Sequence, residues 1–374
     1  MRCFATCAFG VEALVRDELI AIGCTDVRAQ DARVFFEADR RQVIDANLWL
    51  RCADRVFVEL AAFDALTFAQ LFDGVRAMPW HRLLPADAAF TVTGKSALSK
   101  LGSVRDLQAI VKKAIADALC AHYGYARCPE SGQAYNIEVG MLRDVATLAM
   151  NTSGAGLNRR GYRDLSAPAP LRETLAAAMV MLSYYTGSET LIDPCCGSGT
   201  IAIEAAMIAG RIAPGLMRTF AFDGWRAWQR EAELAREAAA QKRREGGFPH
   251  ILASDIDAKC VSMARRHAQR AKVSGLISFA VADVRTYVPA MESGVIVTNP
   301  PYGERLDEKQ AREVARALGQ WKRNHPRFGV FAISANPDFE ADMGLPAARK
   351  RKLYNGAMRC DLYMYMRGRK TKGQ

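Results

Sequence analysis

The sequence predicts an α/β protein: a Rossmann-like, doubly wound parallel sheet in the C-terminal half, ending in an antiparallel hairpin and preceded by two small α+β modules. Three observations lead there. From Thr190 onward, short apolar runs alternate with helix-periodic stretches, the pattern of strand–helix–strand units. The alternation breaks at the end, where Asn355-Gly356 separates RKRKLY from AMRCDLYMYM, a strong hairpin signal. Residues 151–170, NTSGAGLNRRGYRDLSAPAP, turn to Gly, Ser, Arg and Pro and mark a linker or domain boundary.

In order along the chain, CFATCAF reads as a strand and GVEALVRDELIAIG as an amphipathic helix. VRAQDARVFFEA follows as strands and RQVIDANLWLRCADRV as a helix. A second unit begins with FVELAAFDA and LFDGVRAMPW, then the strand AFTVTGK and a long helix. Ser103 suits the N-cap of that helix, with Asp106 three residues on, and Val104, Leu107, Ile110, Val111, Ala114 and Ile115 share its buried face. Beyond the boundary, PLRETLAAAMVMLSYY is a helix. The strands TLIDP, ILASD, ISFAVAD, GVIVTN and FGVFAISA then alternate with helices at 199–209, 258–272 and 308–323. A length of 374 residues suits two to three domains. The expected division is 1–60, 61–155 and 156–374, with a linker and extra helix at 156–186. Gly199 and Asp255 are 56 positions apart, against about 20 in a simple βαβ unit. The charged helix in this excess, from AFDGWRAWQREAELAREAAAQ, reads equally as a substrate-side lid or a surface decoration.

Composition narrows the function classes. No apolar stretch reaches the roughly 18 residues of a membrane span. The N-terminal MRCFATCAFGVEAL fits a first strand better than a secretion signal. Ten scattered cysteines without CxxC spacing point to free thiols in a reducing cytoplasm rather than to disulfides or zinc. The net charge of +11 favours a polyanionic partner. Residues 349–374 hold nine Lys/Arg against one acid, Asp361, and Lys95 and Lys100 lie in the small-residue loop GKSALSKLGS. With Lys112, Lys113, Arg159 and Arg160, these are candidate nucleic-acid contacts, since small residues let a backbone approach phosphates that lysines neutralise. A solvated turn explains such a loop as readily.

The candidate site sits at strand ends. The first C-terminal strand runs into Asp193-Pro194-Cys195-Cys196-Gly197-Ser198-Gly199-Thr200, where two glycines permit a tight turn and close approach of a ligand to a helix N-terminus. There is no Gly-Lys-Ser/Thr for a P-loop, and Ala202 breaks GxGxxG. The next strands end in Asp255, suited to ribose hydroxyls, and Asp283, able to accept from an adenine amino group. Each acid alone fits a helix cap; together they line the edge where open α/β sheets bind ligands. The fourth strand brings Asn299-Pro300-Pro301-Tyr302 to that edge. A nucleobase amine is a poor nucleophile because its lone pair is delocalised, and holding both N–H bonds lets the nitrogen approach tetrahedral geometry. The Asn299 side-chain oxygen and Pro300 carbonyl can accept those hydrogens, the two prolines fix their positions, and Tyr302 can stack on an extruded base.

DPCCGSGT and NPPYGERL resemble the cofactor and catalytic motifs of class I S-adenosylmethionine-dependent methyltransferases that act on nucleobase amines. RRGYRDLSAPAPLRETLAAAMV resembles the linker and extra helix of THUMP-containing RNA methyltransferases. DRVFVEL, LFDGVRAMPW and GKSALSK resemble the ferredoxin-like and THUMP modules of that family. The likeness covers nearly the whole chain and is strongest to bacterial 23S rRNA guanine-N2 methyltransferases, often labelled N6-adenine DNA methylases. It implies S-adenosylmethionine as cofactor and 23S rRNA or a large-subunit precursor as partner. Asp193, Gly197, Gly199 and Thr200 would lie along the methionine part, Asp255 at the ribose, Asp283 at the adenine, and Asn299 to Tyr302 around the base. The sulfonium is already an activated methyl donor, so no metal is expected. Two other functions stay open at this stage: adenine-N6 methylation of RNA or DNA, and a non-catalytic RNA-binding assembly factor.

Overall fold

A computed structural model of the chain describes all residues except 165–170, 245, 287–290, 302–307, 357 and 369–374. The N-terminal part contains β1 (Arg2–Cys7), α1 (Glu12–Ile22), β2 (Thr25–Gln30), β3 (Arg33–Glu37), α2 (Arg40–Trp49) and β4 (Ala53–Asp64). It continues with α3 (Phe68–Arg76), α4 (Trp80–Leu83), β5 (Ala89–Ala97), α5 (Val104–Tyr123), β6 (Ala134–Leu142) and β7 (Val145–Asn151). Polar side chains start these helices as the sequence suggests. Asp39 and Gln42 form a reciprocal capping box on α2, Thr67 and Gln70 another on α3, and the Ser103 hydroxyl accepts from the Asp106 amide on α5.

The two N-terminal units share one sheet, ordered β2-β3-β1-β4-β7-β6-β5. The cause is β4, a single twelve-residue strand where the sequence suggested the end of one helix and a fresh strand. It pairs with β1 through Ala53–Val58 and with β7 through Phe57–Asp64.

The C-terminal part contains α6 (Glu173–Leu182), β8 (Leu191–Asp193), α7 (Thr200–Ala209), α8 (Arg226–Gln241), β9 (Ile251–Asp255), α9 (Ala258–Arg270) and β10 (Ile277–Val281). It ends with β11 (Gly294–Thr298), α10 (Glu308–Asn324), β12 (Phe328–Ser334), α11 (Phe339–Met343), β13 (Arg349–Asn355) and β14 (Met358–Tyr365). The sheet order is β10-β9-β8-β11-β12-β14-β13, parallel except for β14. β11 and β12 are buried along their whole length, as expected of strands covered on both faces. Among the described residues, no helix is long and apolar enough to cross a membrane. All ten cysteines are free and most are buried.

Two sequence expectations change here. The polar stretch after Asn151, expected as a linker or domain boundary, is packed where it is described: Thr152, Ser153, Arg160 and Tyr162 are all buried. Asn47 of α2 donates to the Thr152 hydroxyl (2.9 Å), and the Ser153 hydroxyl donates back to Asn47 (2.5 Å). Arg160, expected at an RNA surface, is 2 % exposed and cannot serve there. Its guanidinium pairs with buried Glu204 of α7 (3.3 Å) and donates to the carbonyls of Arg51 (2.5 Å) and Leu157 (2.9 Å). Buried charge survives because every side of it is hydrogen-bonded, and the result ties the N-terminal sheet to the C-terminal one.

The inserted helix α8 is neither lid nor decoration but a brace. Trp225, 2 % exposed, stacks on Tyr135 at 5.0 Å and donates its indole N–H to the Ala134 carbonyl of β6. Arg40 of α2 donates to the Ala227 carbonyl (2.7 Å).

Candidate active site

The carboxyl ends of β8, β9, β10 and β11 open onto one cleft of about 480 Å³, within the size range of small-molecule sites. Asp193, Gly197, Thr200, Asp255, Asp283, Asn299 and Pro301 all line it, so the sequence-predicted residues from four strand ends converge.

The turn after β8 shows why two glycines stand there. Both have positive φ, +50° at Gly197 and +82° at Gly199. A Cβ on Gly199 would lie 2.8 Å from the Ala264 Cβ of α9, so this position also sets how closely α7 approaches α9. The Gly197 amide donates to Asp255 (2.8 Å), and the Cys196 amide donates to the Ser254 carbonyl (2.8 Å). From below, fully buried His267 donates through Nδ1 to the Ser198 carbonyl at 3.1 Å. Burial holds the His267 pKa below its ordinary value, favouring the neutral ring.

Asp193 is 1 % exposed. Its Oδ1 accepts from the Thr298 hydroxyl (2.9 Å) and the Cys195 amide (3.4 Å), while Oδ2 has no partner among the described residues. Burial pushes its carboxyl up to about 7, against the opposing Thr298 bond. An orphaned carboxylate oxygen in a ligand-sized cleft is a place for a cationic or N–H-bearing group. The buried Oδ1 of Asn299 likewise has no partner among the described residues. Asp255 accepts from the Gly197 and Asp257 amides, fixing the carboxylate beside the turn.

Asp283 is more committed than the sequence suggests. Arg285 grips both its oxygens (Nε at 3.0 and 2.9 Å, Nη2 at 2.6 Å), and the Arg285 amide adds a bond of 2.9 Å. This fork holds the Asp283 carboxyl below the usual range. Thr200 is likewise engaged, accepting from Arg163 at 2.6 Å. Pro300 is buried beside Asn299, and Tyr302 lies outside the described residues.

Of the cationic candidates, Lys100, Lys113 and Arg159 are exposed. Lys95 is ion-paired with Glu138, and Lys112 with Glu130 at 3.0 Å. Sequence reasoning missed Thr298, His267 and Arg163. Thr298 left a trace as the lone hydroxyl ending the apolar run GVIVT. Arg163 left none, since its pairing with Glu173 (3.3 Å) and Thr200 depends on a strap that reads as surface.

A doubly wound sheet of this order, with a glycine turn and acid-tipped strands at its carboxyl edge, defines the class I S-adenosylmethionine-dependent methyltransferase fold. Comparison with known proteins narrows the class. Residues 160–364 match the methyltransferase domain family UPF0020, described as RMKL-like; residues 65–151 match the THUMP domain and 2–57 the RlmL ferredoxin-like domain. The chain is 41 % identical to "Putative RNA methyltransferase YpsC" of Bacillus subtilis over 96 % of this chain and 94 % of that protein. A Listeria monocytogenes structure described as "a predicted N6-adenine-specific DNA methylase" is 41 % identical with a TM-score of 0.93, covering 98 % and 96 % of the two chains. "SMU.472, a putative methyltransferase complexed with SAH" is 35 % identical with a TM-score of 0.92, covering 98 % of each. The chain therefore belongs to the THUMP-containing, RMKL-like UPF0020 methyltransferase family.

Proposed function

We propose that this methyltransferase transfers the methyl group of S-adenosylmethionine to the exocyclic N2 amine of a guanine in 23S rRNA. The observation that carries the amine acceptor is the orphaned Asn299 Oδ1, buried at the mouth of the cofactor cleft next to a backbone fixed by two prolines. Asn299 Oδ1 and the Pro300 carbonyl each accept one N–H of the target amine, which turns its lone pair out of conjugation and towards the cleft. Tyr302, next in the motif, stacks on the extruded base.

The cleft fits the cofactor on its own terms. The Asp193 Oδ2 accepts from the ammonium of the methionine part, and the bare edge of Gly197, where a Cβ would meet nothing within 4 Å, admits the chain past the turn, while Gly199 is packed against α9 behind it. Asp255 keeps acceptor capacity for ribose hydroxyls beyond its two amide bonds. The Asp283 carboxylate, gripped by Arg285, orients that arginine at the adenine end and shares a lone pair with the adenine amine. When bound, S-adenosylmethionine supplies an activated methyl on a sulfonium. The protein's part is positioning, and the amine proton leaves to solvent.

RNA as the substrate is supported by the THUMP domain, by the description of YpsC, and by the exposed cations Lys100, Lys113 and Arg159 with the basic β13. Guanine N2 rests on the resemblance of the motifs. The test is to incubate purified protein with labelled S-adenosylmethionine and either unmodified 23S rRNA or duplex DNA, then digest to nucleosides. N2-methylguanosine from RNA alone is the expected product; N6-methyladenosine would replace the guanine reading, and methylated DNA the RNA reading.

A further inference from the structure

A second cavity, of about 420 Å³, opens where three parts of the chain meet: the turn after β1, the start of α6 and the tip of the β13–β14 hairpin. Leu171 lines the cleft at the β8–β11 strand ends and the next residue, Arg172, lines this cavity, so one stretch of chain borders both. Strand register puts the hairpin tip on the substrate edge. Thr298 of β11 lies opposite Ala332 of β12; two residues on, Ser334 pairs with Asp361, which pairs with Lys352. The described hairpin residues beyond that line, 353–356 and 358–360, extend past the carboxyl edge by about 10 Å at ~3.3 Å per residue, on the strands two and three places from β11.

The walls are fixed before any ligand arrives. Gly10 has φ of +93°, and a Cβ there would lie 2.5 Å from the Lys352 carbonyl. Arg351 donates to the Gly10 carbonyl at 2.7 Å. The turn that carries Phe9 is thereby locked to the hairpin. Phe9 is nevertheless 55 % exposed, its ring edge-on to Tyr354 with centroids 6.3 Å apart, which leaves an aromatic face open to the cavity mouth. Also in the lining are exposed Arg172 and half-buried Asp54, whose side chains have no hydrogen bond or ion pair among the described residues. A carboxylate accepts from ring or exocyclic N–H groups, and a guanidinium donates to ring nitrogen, carbonyl or phosphate oxygen. Lys352 and Arg359 are exposed on the same hairpin, Arg359 within 4.0 Å of the Asp361 carboxylate.

We propose that this cavity reads an unpaired nucleotide flanking the methylated one, its base stacked on Phe9 and its polar edge met by Asp54 and Arg172. Single-stranded RNA is recognised in this way, by an aromatic face together with hydrogen bonds to the base edge. The inference rests on the RNA reading given above and extends it: the N-terminal module contributes Phe9 and Asp54 directly to substrate selection next to the reaction centre, besides any hold it has on RNA further away.

The test uses the full chain, with unmodified 23S rRNA as probe, in both methylation kinetics and equilibrium binding. Phe9→Ala and Asp54→Asn are expected to raise KM and Kd for RNA about tenfold, the scale of one lost base stack or edge contact, with kcat within about twofold. Affinity for S-adenosylhomocysteine is expected to be unchanged, and so are KM and Kd in Ile20→Ala, an equally exposed apolar residue on α1. RNA constants within twofold of wild type in both cavity variants overturn the cavity assignment and leave the methyltransferase reading standing. If wild type binds the rRNA without methylating it, the rRNA target reading fails instead, and the Kd comparison still decides the cavity. A loss confined to kcat, or a matching loss in Ile20→Ala, would mean a structural effect and also overturns the assignment.

Discussion

The proposed placement of the cofactor ammonium at Asp193 gives the cleft a calculable pH dependence. The Asp193 carboxyl stands at about 7 because burial outweighs the Thr298 and Cys195 hydrogen bonds, and its Oδ2 has no partner among the described residues. A cationic ligand group at Oδ2 binds the ionised form, so binding below the pKa displaces a proton. With a pKa of about 7, roughly a tenth of the carboxyl is ionised at pH 6 and about three quarters at pH 7.5, so affinity should fall roughly eightfold between them. The same carboxyl acts oppositely on the ligand-free fold. Raised above its unfolded value of 3.8, it contributes stability that is full below that value and is lost as pH rises through about 7. Calorimetric titration of S-adenosylhomocysteine at the two pH values, in buffers of different ionisation enthalpy, measures affinity and proton release together. Asp193→Asn keeps the shape and the acceptor for Thr298, and should bind about 10- to 100-fold more weakly at pH 7.5, as for a lost hydrogen bond to a charged group. It also retains the ligand's own titration, so the difference between the two proteins isolates the carboxyl. Equal pH dependence in wild type and Asp193→Asn would refute the placement of the ammonium at Oδ2.

Other perturbations probe separate parts of the molecule. Asn299→Ala should cut methyl transfer by at least 100-fold while leaving S-adenosylhomocysteine affinity within about threefold, because only the acceptor of the amine N–H is removed; single-turnover kinetics checks it. Gly199→Ala must adopt a φ of +82° with its Cβ 2.8 Å from that of Ala264, and should cost about 1–3 kcal/mol in urea unfolding together with weakened cofactor binding. Arg160→Met strands Glu204 in the interior and should cost about 3–5 kcal/mol. Adding Glu204→Leu should recover only part of that, since the Arg51 and Leu157 carbonyls still lack their donor.

The sequence made the lining of the cleft legible and much of its support invisible. Strand ends are punctuated by short polar motifs on apolar runs, so the sequence alone assigns Asp193, Asp255, Asp283 and Asn299 to one edge, where all four line the cleft. Local signals also sufficed for the Ser103 cap and the Asn355-Gly356 hairpin. What failed was tertiary. Composition marks 151–170 as a linker or domain boundary, yet within it Arg160 and Tyr162 are buried because Glu204, far away in sequence, lies opposite them. Strand β4 reads as two elements because its pattern changes where its partner changes from β1 to β7. Residues 226–241 have the charge of a free surface helix, but Trp225 at its start is anchored on Tyr135. The commitment of Asp283 to Arg285, only two residues on, was within reach of the sequence, since an arginine two residues past an acid in a turn can fold back on it.

One measurement bears on the whole reading: mass spectrometric mapping of modified nucleosides in 23S rRNA from a strain lacking the gene, complemented with wild type or with Asn299→Ala. The account predicts one guanosine that loses its N2-methyl on deletion, regains it with wild type and does not with Asn299→Ala. An rRNA methylation pattern identical in all strains, or full restoration by Asn299→Ala, would contradict it.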